Sequence, residues 1–356
     1  MRANGLSDWM AGETNRFKMM ENGREVKTMI LAGDIGGTKT LLGLFDAIPA
    51  RPRPVLVRSF GTLDHPDLPT MIAEFMKLKE GVEARRTHGA IESACFGVAG
   101  PVVDDTVKVT NVPWFVDARL VAAALGIPGV ALLNDLEALA HAVPVLRESE
   151  THVLQDGEAL RGGNIGLIAA GTGLGQALLH NIDGRFVPSA SEAGHADFAA
   201  RTEREIALTR DLTGRYGRAD VEHVVSGRGL VNIHRVAHRQ PCAAAVDLAS
   251  HDAPAAISTA ALERRCPGCA ETLDLFVEAY GAEAGNLALR SVSTGGLYIG
   301  GGIAPKILPA LTAGVFMRAF RAKPPLDRML SAMPVKVILN AESGLLGAAV
   351  FAASHR

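Results

Sequence analysis

The chain has 356 residues, of which 48% are hydrophobic and 21% charged, and its formal net charge is −2. That composition is typical of soluble globular proteins, and the length suffices for two domains. A charge so close to zero gives no general attraction to nucleic acid or anionic lipid, and no apolar stretch reaches the roughly 20 residues of a membrane helix. We therefore predict a cytoplasmic protein that binds neither.

The first 28 residues differ from the rest. Residues 1–28 are polar and charged, and they lack the apolar core of a secretory signal. Met19, Met20 and Met29 are all possible starts, and the first predicted strand begins at Met29. We expect residues 1–28 to form a loosely ordered leader.

Two similar hairpins then mark the two halves of the chain. The first covers residues 29–45 with GDIGGTK at 33–39, and the second covers residues 165–179 with GTGLG at 171–175. Each is an apolar strand, a tip of glycine and threonine, and a second apolar strand. Glycine-rich tips present backbone N–H groups to a ligand at close range, which suits phosphate. Two ordinary hairpin turns are the alternative.

The remaining elements follow in a similar order in both halves. In the first half we predict, after the hairpin, strand Pro54–Phe60, helix Leu68–Glu80, strand Ser93–Val98, a further hairpin arm, helix Val116–Leu125, strand Val130–Leu133 and helix Leu136–Leu146. In the second half we predict, after the hairpin, a helical insertion over Ala200–Val236, helix Ala270–Leu289, strand Gly296–Ile299, helix Pro305–Phe320, strand Val335–Leu339 and helix Gly344–Ala353. This order predicts an α/β protein built from an internal repeat.

The repeat extends to short sequences at two strand ends. CFGVAGP at 95–101 corresponds to YIGGGIAP at 298–305, and VALLND at 130–135 corresponds to VKVILNA at 335–341. Ligands bind beyond the carboxyl ends of strands in open α/β sheets. The first half has Asp135 where the second half has Ala341, so the repeat predicts a carboxylate on one side of the cleft only.

The four cysteines do not form a disulfide framework in so long a chain. Cys266 and Cys269 have the spacing of a metal or redox pair, but no second such pair and no pair of histidines follows them. We expect two reduced thiols at the start of a helix.

Four motifs, taken together and in this order, resemble the bacterial ATP-dependent glucokinases. They are GDIGGTK at 33–39, LND at 133–135, GTGLG at 171–175 and EAGH at 192–195. The resemblance covers residues 29–353 and implies the two-lobed actin-like ATPase (ribonuclease H-like) fold, with mixed sheets flanked by helices and a ligand cleft between the lobes. It also implies a homodimer. The related ROK group carries a Cys and His zinc cluster after its sugar motif; because no such cluster is evident here, the chain looks like the branch without that metal.

The resemblance implies a small lobe of residues 29–145 plus 339–356, and a large lobe of residues 146–338. It also implies that both hairpin tips bind ATP and that Asp34 binds Mg²⁺, an ion that keeps several of its waters. The expected nucleotide-binding residues are Asp34, Gly36, Gly37, Thr38, Lys39, Gly171, Thr172, Gly173, Gly300, Gly301 and Gly302. The last three close a strand where adenine and ribose could lie against bare backbone, although a strand-to-helix turn would also use a glycine.

Asp135 is implied to be the catalytic base that accepts the proton of the sugar 6-hydroxyl, although aspartate is also a good helix N-cap. A neutral hexose must be recognised by several hydrogen bonds to its hydroxyls. The expected sugar-binding residues are Asn111, Asn134, Asp135, Glu192, His195 and Glu222. The chain has Ser191 and Ala193 where the family commonly has glycines around the glutamate. We expect Trp114, three residues after Asn111, to be a core residue.

The predicted reaction is transfer of the γ-phosphoryl group of ATP to the 6-hydroxyl of D-glucose. Three alternatives remain open: a kinase for another hexose or an amino sugar, a sugar-responsive regulator of the same fold, and a filament-forming relative. A DNA-binding regulator would need a helix-turn-helix before Met29, and a filament would not need a sugar clamp.

Overall fold

The computed structural model describes residues 20–21, 24–25, 28–48, 50–238 and 241–355. The predicted loose leader therefore lies largely outside the described residues. Its described part includes a short antiparallel pair, Met20–Glu21 (β1) with Arg24–Glu25 (β2). Within the described ranges, no helix combines the length and apolarity needed to cross a bilayer.

The other strands lie in a five-stranded sheet, a six-stranded sheet and a small two-stranded pair. In chain order they are β3 (Met29–Ile35), β4 (Lys39–Asp46), β5 (Arg53–Gly61), β6 (Ile91–Val98), β7 (Thr106–Lys108), β8 (Phe115–Asp117), β9 (Val130–Asn134), β10 (Thr151–Gln155), β11 (Ile165–Ala170), β12 (Leu174–Ile182), β13 (Arg185–Ser191), β14 (Gly296–Gly300) and β15 (Val335–Ile338).

Twelve α-helices are found among the described residues, together with several short 3-10 turns. They are α1 (Leu68–Lys77), α2 (Lys79–His88), α3 (Ala118–Leu125), α4 (Asp135–Ala142), α5 (Glu203–Tyr216), α6 (Gly227–Ala237), α7 (Ala253–Leu262), α8 (Pro267–Ser291), α9 (Leu308–Thr312), α10 (Val315–Arg321), α11 (Asp327–Ala332) and α12 (Ser343–Ser354).

The two large sheets share one strand order, which confirms the internal repeat. The first sheet runs β5-β4-β3-β6-β9, and the second runs β13-β12-β11-β14-β15, with β10 added at its edge. In each sheet the hairpin strands pair antiparallel, and the next two strands add parallel to the first hairpin strand. The carboxyl ends of corresponding strands therefore carry the corresponding glycine-rich turns and asparagines.

Helix α4 packs between the two sheets. Its Ala138 belongs to a buried cluster with Ile30 of the first sheet and Leu345 of α12. Its Leu136 belongs to another buried cluster with Leu167 of the second sheet. Because residues on opposite sides of one helix contact different sheets, α4 fixes the position of its first residue, Asp135, between them.

Several predicted helix bounds were wrong. The helix predicted over residues 68–80 is two helices, because Leu78 has extended geometry (ψ 141°) and packs against the core of the first sheet. The helix predicted over residues 305–320 is interrupted before α10, where Gly314 has a left-handed φ of 93°. Val116 lies in β8 instead of opening α3. The periodicity of hydrophobic residues in the sequence does not reveal such changes in chain direction, because tertiary packing determines them.

Candidate active site

The first hairpin tip is braced from below by a buried threonine. Gly36 donates a backbone hydrogen bond to the Lys39 carbonyl at 3.1 Å, which closes the tip. The Thr62 hydroxyl donates to the Gly36 carbonyl at 2.8 Å, and the Thr62 N–H donates to the Thr38 carbonyl at 3.0 Å. Thr38 and Lys39 stay exposed. Thr62 was missed in the sequence because it lies outside the motif.

The second tip is braced by the start of α6. Gly171 donates to the Gly173 carbonyl at 2.8 Å, and Gly227, the first residue of α6, donates to the Gly171 carbonyl at 2.8 Å. The Glu222 carboxylate accepts a hydrogen bond from the Leu174 N–H at 2.9 Å. A Cβ atom on Gly173 would lie 2.5 Å from that carboxylate, so a larger residue there would displace the Glu222 side chain. Glu222, expected at the sugar, therefore contacts the second tip in this structure.

Asp135 is the first residue of α4 but not its cap. The cap is Asn134, whose side-chain oxygen accepts from the Leu136 N–H at 3.0 Å and whose amide donates to the Gly100 carbonyl at 3.1 Å. One Asp135 oxygen accepts from the same N–H at 2.8 Å, and the side chain is open to solvent. Asn134 is therefore the N-cap of α4, and Asp135 shares the hydrogen bond from the Leu136 N–H.

Three carboxylates from both sheets influence one another at this place. The pKa of Asp34 is raised from 3.8 to about 6, chiefly through desolvation by the surrounding protein. The negative charge of Asp135 also raises this pKa, and the positive charge of Lys39 lowers it. The pKa of Asp135 is also raised, chiefly by desolvation of the carboxylate by the protein around it and further by the charge of Glu192. Asp34 is the second-to-last residue of β3 in the first sheet, and Glu192 follows β13 of the second. The predicted metal ligand, base and sugar ligand therefore lie close together between the sheets.

His195 has a partner that sequence reasoning missed. Its Nδ1 atom lies 3.2 Å from the carboxylate of Asp220, which is nearly buried while the His195 side chain is half exposed. Asp220 also accepts from the His223 N–H at 2.8 Å, so it is held in place. A carboxylate on one imidazole nitrogen orients the ring and fixes which nitrogen faces outward. A lone Asp 25 positions away gives no sequence signal of this contact.

Asn111 lies beside the first tip. A Cβ atom on Gly37 would be 3.8 Å from the Asn111 Cβ, and Asn111 is exposed with a left-handed φ of 62°. Asparagine tolerates that conformation better than most residues. The structure confirms that Trp114 is a core residue, since it is buried and its indole N–H donates to the His65 carbonyl at 3.2 Å.

The three consecutive glycines at the end of β14 have different surroundings. A Cβ atom on Gly301 would collide with the Ala170 carbonyl, and φ at Gly301 is 82°. A Cβ atom on Gly300 would lie 2.9 Å from Leu139, whereas Gly302 faces open space. Backbone conformation and the Ala170 carbonyl therefore require glycine at position 301 alone, because at position 300 an added Cβ would meet only the end of the Leu139 side chain. Gly302 alone keeps free room for a ligand.

The expectation that the Cys266–Cys269 pair has no further ligands nearby is wrong. His234, His238 and Cys242 lie beside it in the structure, in a cluster of metal-ligating side chains. The thiols do precede a helix, α8, as predicted. The placement of the chain outside the ROK branch rested on the lack of such a cluster and stays an expectation.

Comparison with known proteins identifies the relatives of this chain. A family model described as Glucokinase matches residues 31–355. The glucokinase of Nostoc punctiforme is 41% identical over 345 residues, which cover 92% of this chain and 99% of that protein.

Solved structures agree with the strand order. A glucokinase from an Antarctic psychrotroph superposes with a TM-score of 0.79 at 29% identity, over 92% of this chain and 99% of the other. A ROK family glucokinase from Streptomyces griseus, solved with glucose and AMPPNP, superposes with a TM-score of 0.59 at 24% identity, over 92% and 99%. The two-lobed actin-like fold expected from the sequence is confirmed.

Proposed function

This chain belongs to the glucokinase family, and we propose that it transfers the γ-phosphoryl group of ATP to the 6-hydroxyl of D-glucose. The products are glucose 6-phosphate and ADP, and the reaction is the first step of glycolysis. The observation that carries this proposal is the Asp135 carboxylate, which is open to solvent between two braced glycine-rich tips, at the start of the helix α4 that Asn134 caps.

Asp135 is the proposed catalytic base. A carboxylate whose pKa is raised is a stronger base than a fully solvated one. It accepts the proton of the 6-hydroxyl as that oxygen attacks the γ-phosphoryl group. In phosphoryl transfer the protein mainly positions groups and offsets charge, so one well-placed base and the two tips suffice.

The Asp135→Asn variant tests this role. Asparagine keeps the size and the hydrogen bond to Leu136 but cannot accept the proton, so kcat should fall about 100- to 10,000-fold. Glucose affinity, measured by calorimetry, should change little. Asp183→Asn, in the exposed turn between β12 and β13, is the matched control and should keep full activity. Full turnover in Asp135→Asn would reject the assignment.

The sugar clamp is proposed to consist of Asn111, Asn134, Glu192, His195 and Glu222 around Asp135. Exposed Glu192 and His195 flank one 3-10 turn, which lets both side chains approach one ligand. The hydrogen bonds of Asn134 and Glu222 to the protein leave each with further acceptor capacity for a hydroxyl. Closure of the two lobes over the sugar would exclude water, which otherwise competes as acceptor.

ATP is proposed to bind across both tips, with its phosphates on residues 36–39 and 171–173 and its adenosine near residues 300–302. Asp34 fits a Mg²⁺ ion, since it lies near the carboxyl end of β3, close to Lys39, and no residue of the described ranges donates a hydrogen bond to its carboxylate. The bound ion would offset the phosphate charge and favour the ionised form of Asp34.

The wider arrangement follows the family. We assign residues 29–145 plus 339–356 to a small lobe and residues 146–338 to a large lobe, since each span holds one large sheet. We also propose that the protein is a cytoplasmic homodimer that binds neither nucleic acid nor membrane. Light scattering of the purified protein tests the dimer.

A kinase for another hexose or an amino sugar is the second candidate, because the hydrogen-bonding residues of the clamp could accept related hydroxyl patterns. A coupled assay with ATP, Mg²⁺ and glucose, mannose, fructose and glucosamine side by side separates the two. A non-catalytic sugar-sensing regulator would bind glucose without consuming ATP in the same assay.

A further inference from the structure

A cluster of three cysteines and two histidines lies in the large lobe, away from the tips. His234 and His238 are at the carboxyl end of α6 and just beyond it, Cys242 is in the following segment, and Cys266 and Cys269 are at the start of α8. One ligand atom from each of His234, His238, Cys242 and Cys269 lies within 4.8 Å of all the others. No step of the proposed phosphoryl transfer uses these residues.

The distances within the cluster match the edges of a tetrahedral metal site. Zinc bonds of about 2.3 Å to sulfur and about 2.05 Å to nitrogen give tetrahedral S···S and S···N edges of about 3.8 and 3.6 Å. The Cys242 sulfur lies 3.8 Å from the Cys269 sulfur, and the Cys269 sulfur lies 3.7 Å from His234 Nε2. The four ligand atoms of His234, His238, Cys242 and Cys269 all lie within 4.8 Å of one another, as the ligands of a single ion must.

The side chains of this cluster lie in largely apolar surroundings, which offer them few other hydrogen-bond partners. His234, Cys266 and Cys269 are buried, and both cysteines belong to the apolar core of the second sheet. The His234 Nδ1 atom has no hydrogen-bond partner among the described residues, although an unpaired buried nitrogen costs stability. His234 and His238 are four positions apart, so both rings lie on one side of α6, where their centroids are 4.5 Å apart.

We propose that His234, His238, Cys242 and Cys269 bind one structural Zn²⁺ ion. Two thiolates and two imidazoles form a closed tetrahedral set that zinc prefers, and the spacing of the two histidines is that of zinc-finger ligands. The two thiols release their protons as the ion binds. Cys266 lies beside this set, 3.1 Å from His238 Nε2 and 3.9 Å from the Cys242 sulfur, and is assigned outside the four ligands.

The ion would join α6 to α8. At the other end of α6, the Gly227 N–H donates a hydrogen bond to the Gly171 carbonyl, and this bond braces the second tip. Binding free energy at such a site becomes folding free energy, since the unfolded chain has no preformed site. The zinc therefore stabilises the large lobe and holds α6 against the core, and it has no part in the chemistry.

Metal content of the intact protein is the first test. Protein produced with added zinc and desalted should contain one zinc per chain by inductively coupled plasma mass spectrometry. Cys242→Ser, Cys269→Ser and His234→Ala should each lose most of it. Cys95→Ser, at a buried cysteine in the core of the first sheet, is the matched control and should keep the metal. Wild-type protein without zinc would overturn the proposal.

Cys266→Ser tests the ligand set, and it should keep zinc while His234→Ala loses it. The reverse result would overturn the assignment of His234 and replace it with Cys266. Metal content is independent of kinase activity, so failure of the zinc proposal would leave the proposed reaction unaffected, and the converse also holds.

Cobalt gives a readout that does not depend on any variant. Wild-type protein stripped by a chelator and titrated with Co²⁺ should show absorption typical of tetrahedral thiolate coordination, saturating at one ion per chain, and zinc should displace it. Chelation should also lower the melting temperature, and zinc should restore it. An intact-protein mass that shows a disulfide among Cys242, Cys266 and Cys269, with no metal bound, would contradict the proposal.

Discussion

Ionised Asp34 destabilises the folded protein, because its carboxylate is desolvated and lies near another carboxylate. Its pKa is raised from 3.8 to about 6, chiefly by the surrounding protein and then by Asp135. The native state therefore holds the Asp34 proton more tightly than the unfolded state, and the free energy of unfolding should fall as pH rises from about 4 to about 6. Above that range the ionised group destabilises the fold.

The Asp34→Asn variant should consequently be more stable than the wild type at neutral pH. Removing the charge should raise the free energy of unfolding by about 1–3 kcal/mol at pH 7 in magnesium-free buffer, and the gain should vanish below about pH 4. Urea denaturation across pH checks this, with Asp183→Asn as the control that shows no such gain. A destabilised Asp34→Asn at pH 7 would contradict it. Activity should fall, because Asp34 is the proposed metal ligand.

Single residues were predictable where a motif names them. Asp135 was predictable because it stands between a buried strand and a helix, and because the repeat has Ala341 at the corresponding position of the second half. The partner of His195 was not, since Asp220 reaches it through a fold contact that leaves no local pattern. Glu222 was predicted to bind the sugar, but its contact with the Leu174 N–H could not be predicted from the sequence.

At the scale of elements, each hairpin tip depends on a residue outside its own motif. The first tip is supported by Thr62, which follows β5, and the second by the first residue of α6. The hairpins themselves were predictable, because alternating apolar strands around glycine are a strong local signal. Their supports were not, because a buried threonine and a helix start are common features of any chain.

The Thr62→Val variant measures what the support of the first tip contributes. Valine has nearly the same shape but loses the hydroxyl, which bonds the Gly36 carbonyl and lies 2.9 Å from the Thr40 hydroxyl. We expect a loss of about 1–3 kcal/mol in stability because buried polar groups are left unpaired, and a higher KM for ATP. Thr87→Val, on the exposed side of α2, is the control. Unchanged values for both quantities would mean that Thr62 does not support the tip.

For the whole molecule, strand order and repeat were predictable, but the joining of the two halves was not. The repeated order of strands follows from repeated sequence patterns, and both sheets show it. The packing of α4 against both sheets depends on small residues such as Ala138 and Gly347, which look like ordinary helix formers or breakers. The Cys and His cluster was missed for a similar reason, since its histidines lie well before the Cys266–Cys269 pair in the chain and meet it only through the packing of α6 against α8.

The contact of α12 with α4 holds α4 beside the first sheet, because α12 also packs against β3 and β6. A Cβ atom on Gly347 would overlap the Ala138 carbonyl, and Gly347 is buried. Gly347→Ala should therefore force the two helices apart and cost about 1–3 kcal/mol, measured by thermal denaturation. Hydrogen exchange should speed up in α4 and α12 together, because one displaced contact loosens both. Gly214→Ala is the matched control: it lies in α5 with open space around it, and alanine should stabilise it by about 0.5–1 kcal/mol. A Gly347→Ala protein as stable as the Gly214→Ala protein would show that the contact between α4 and α12 can relax freely.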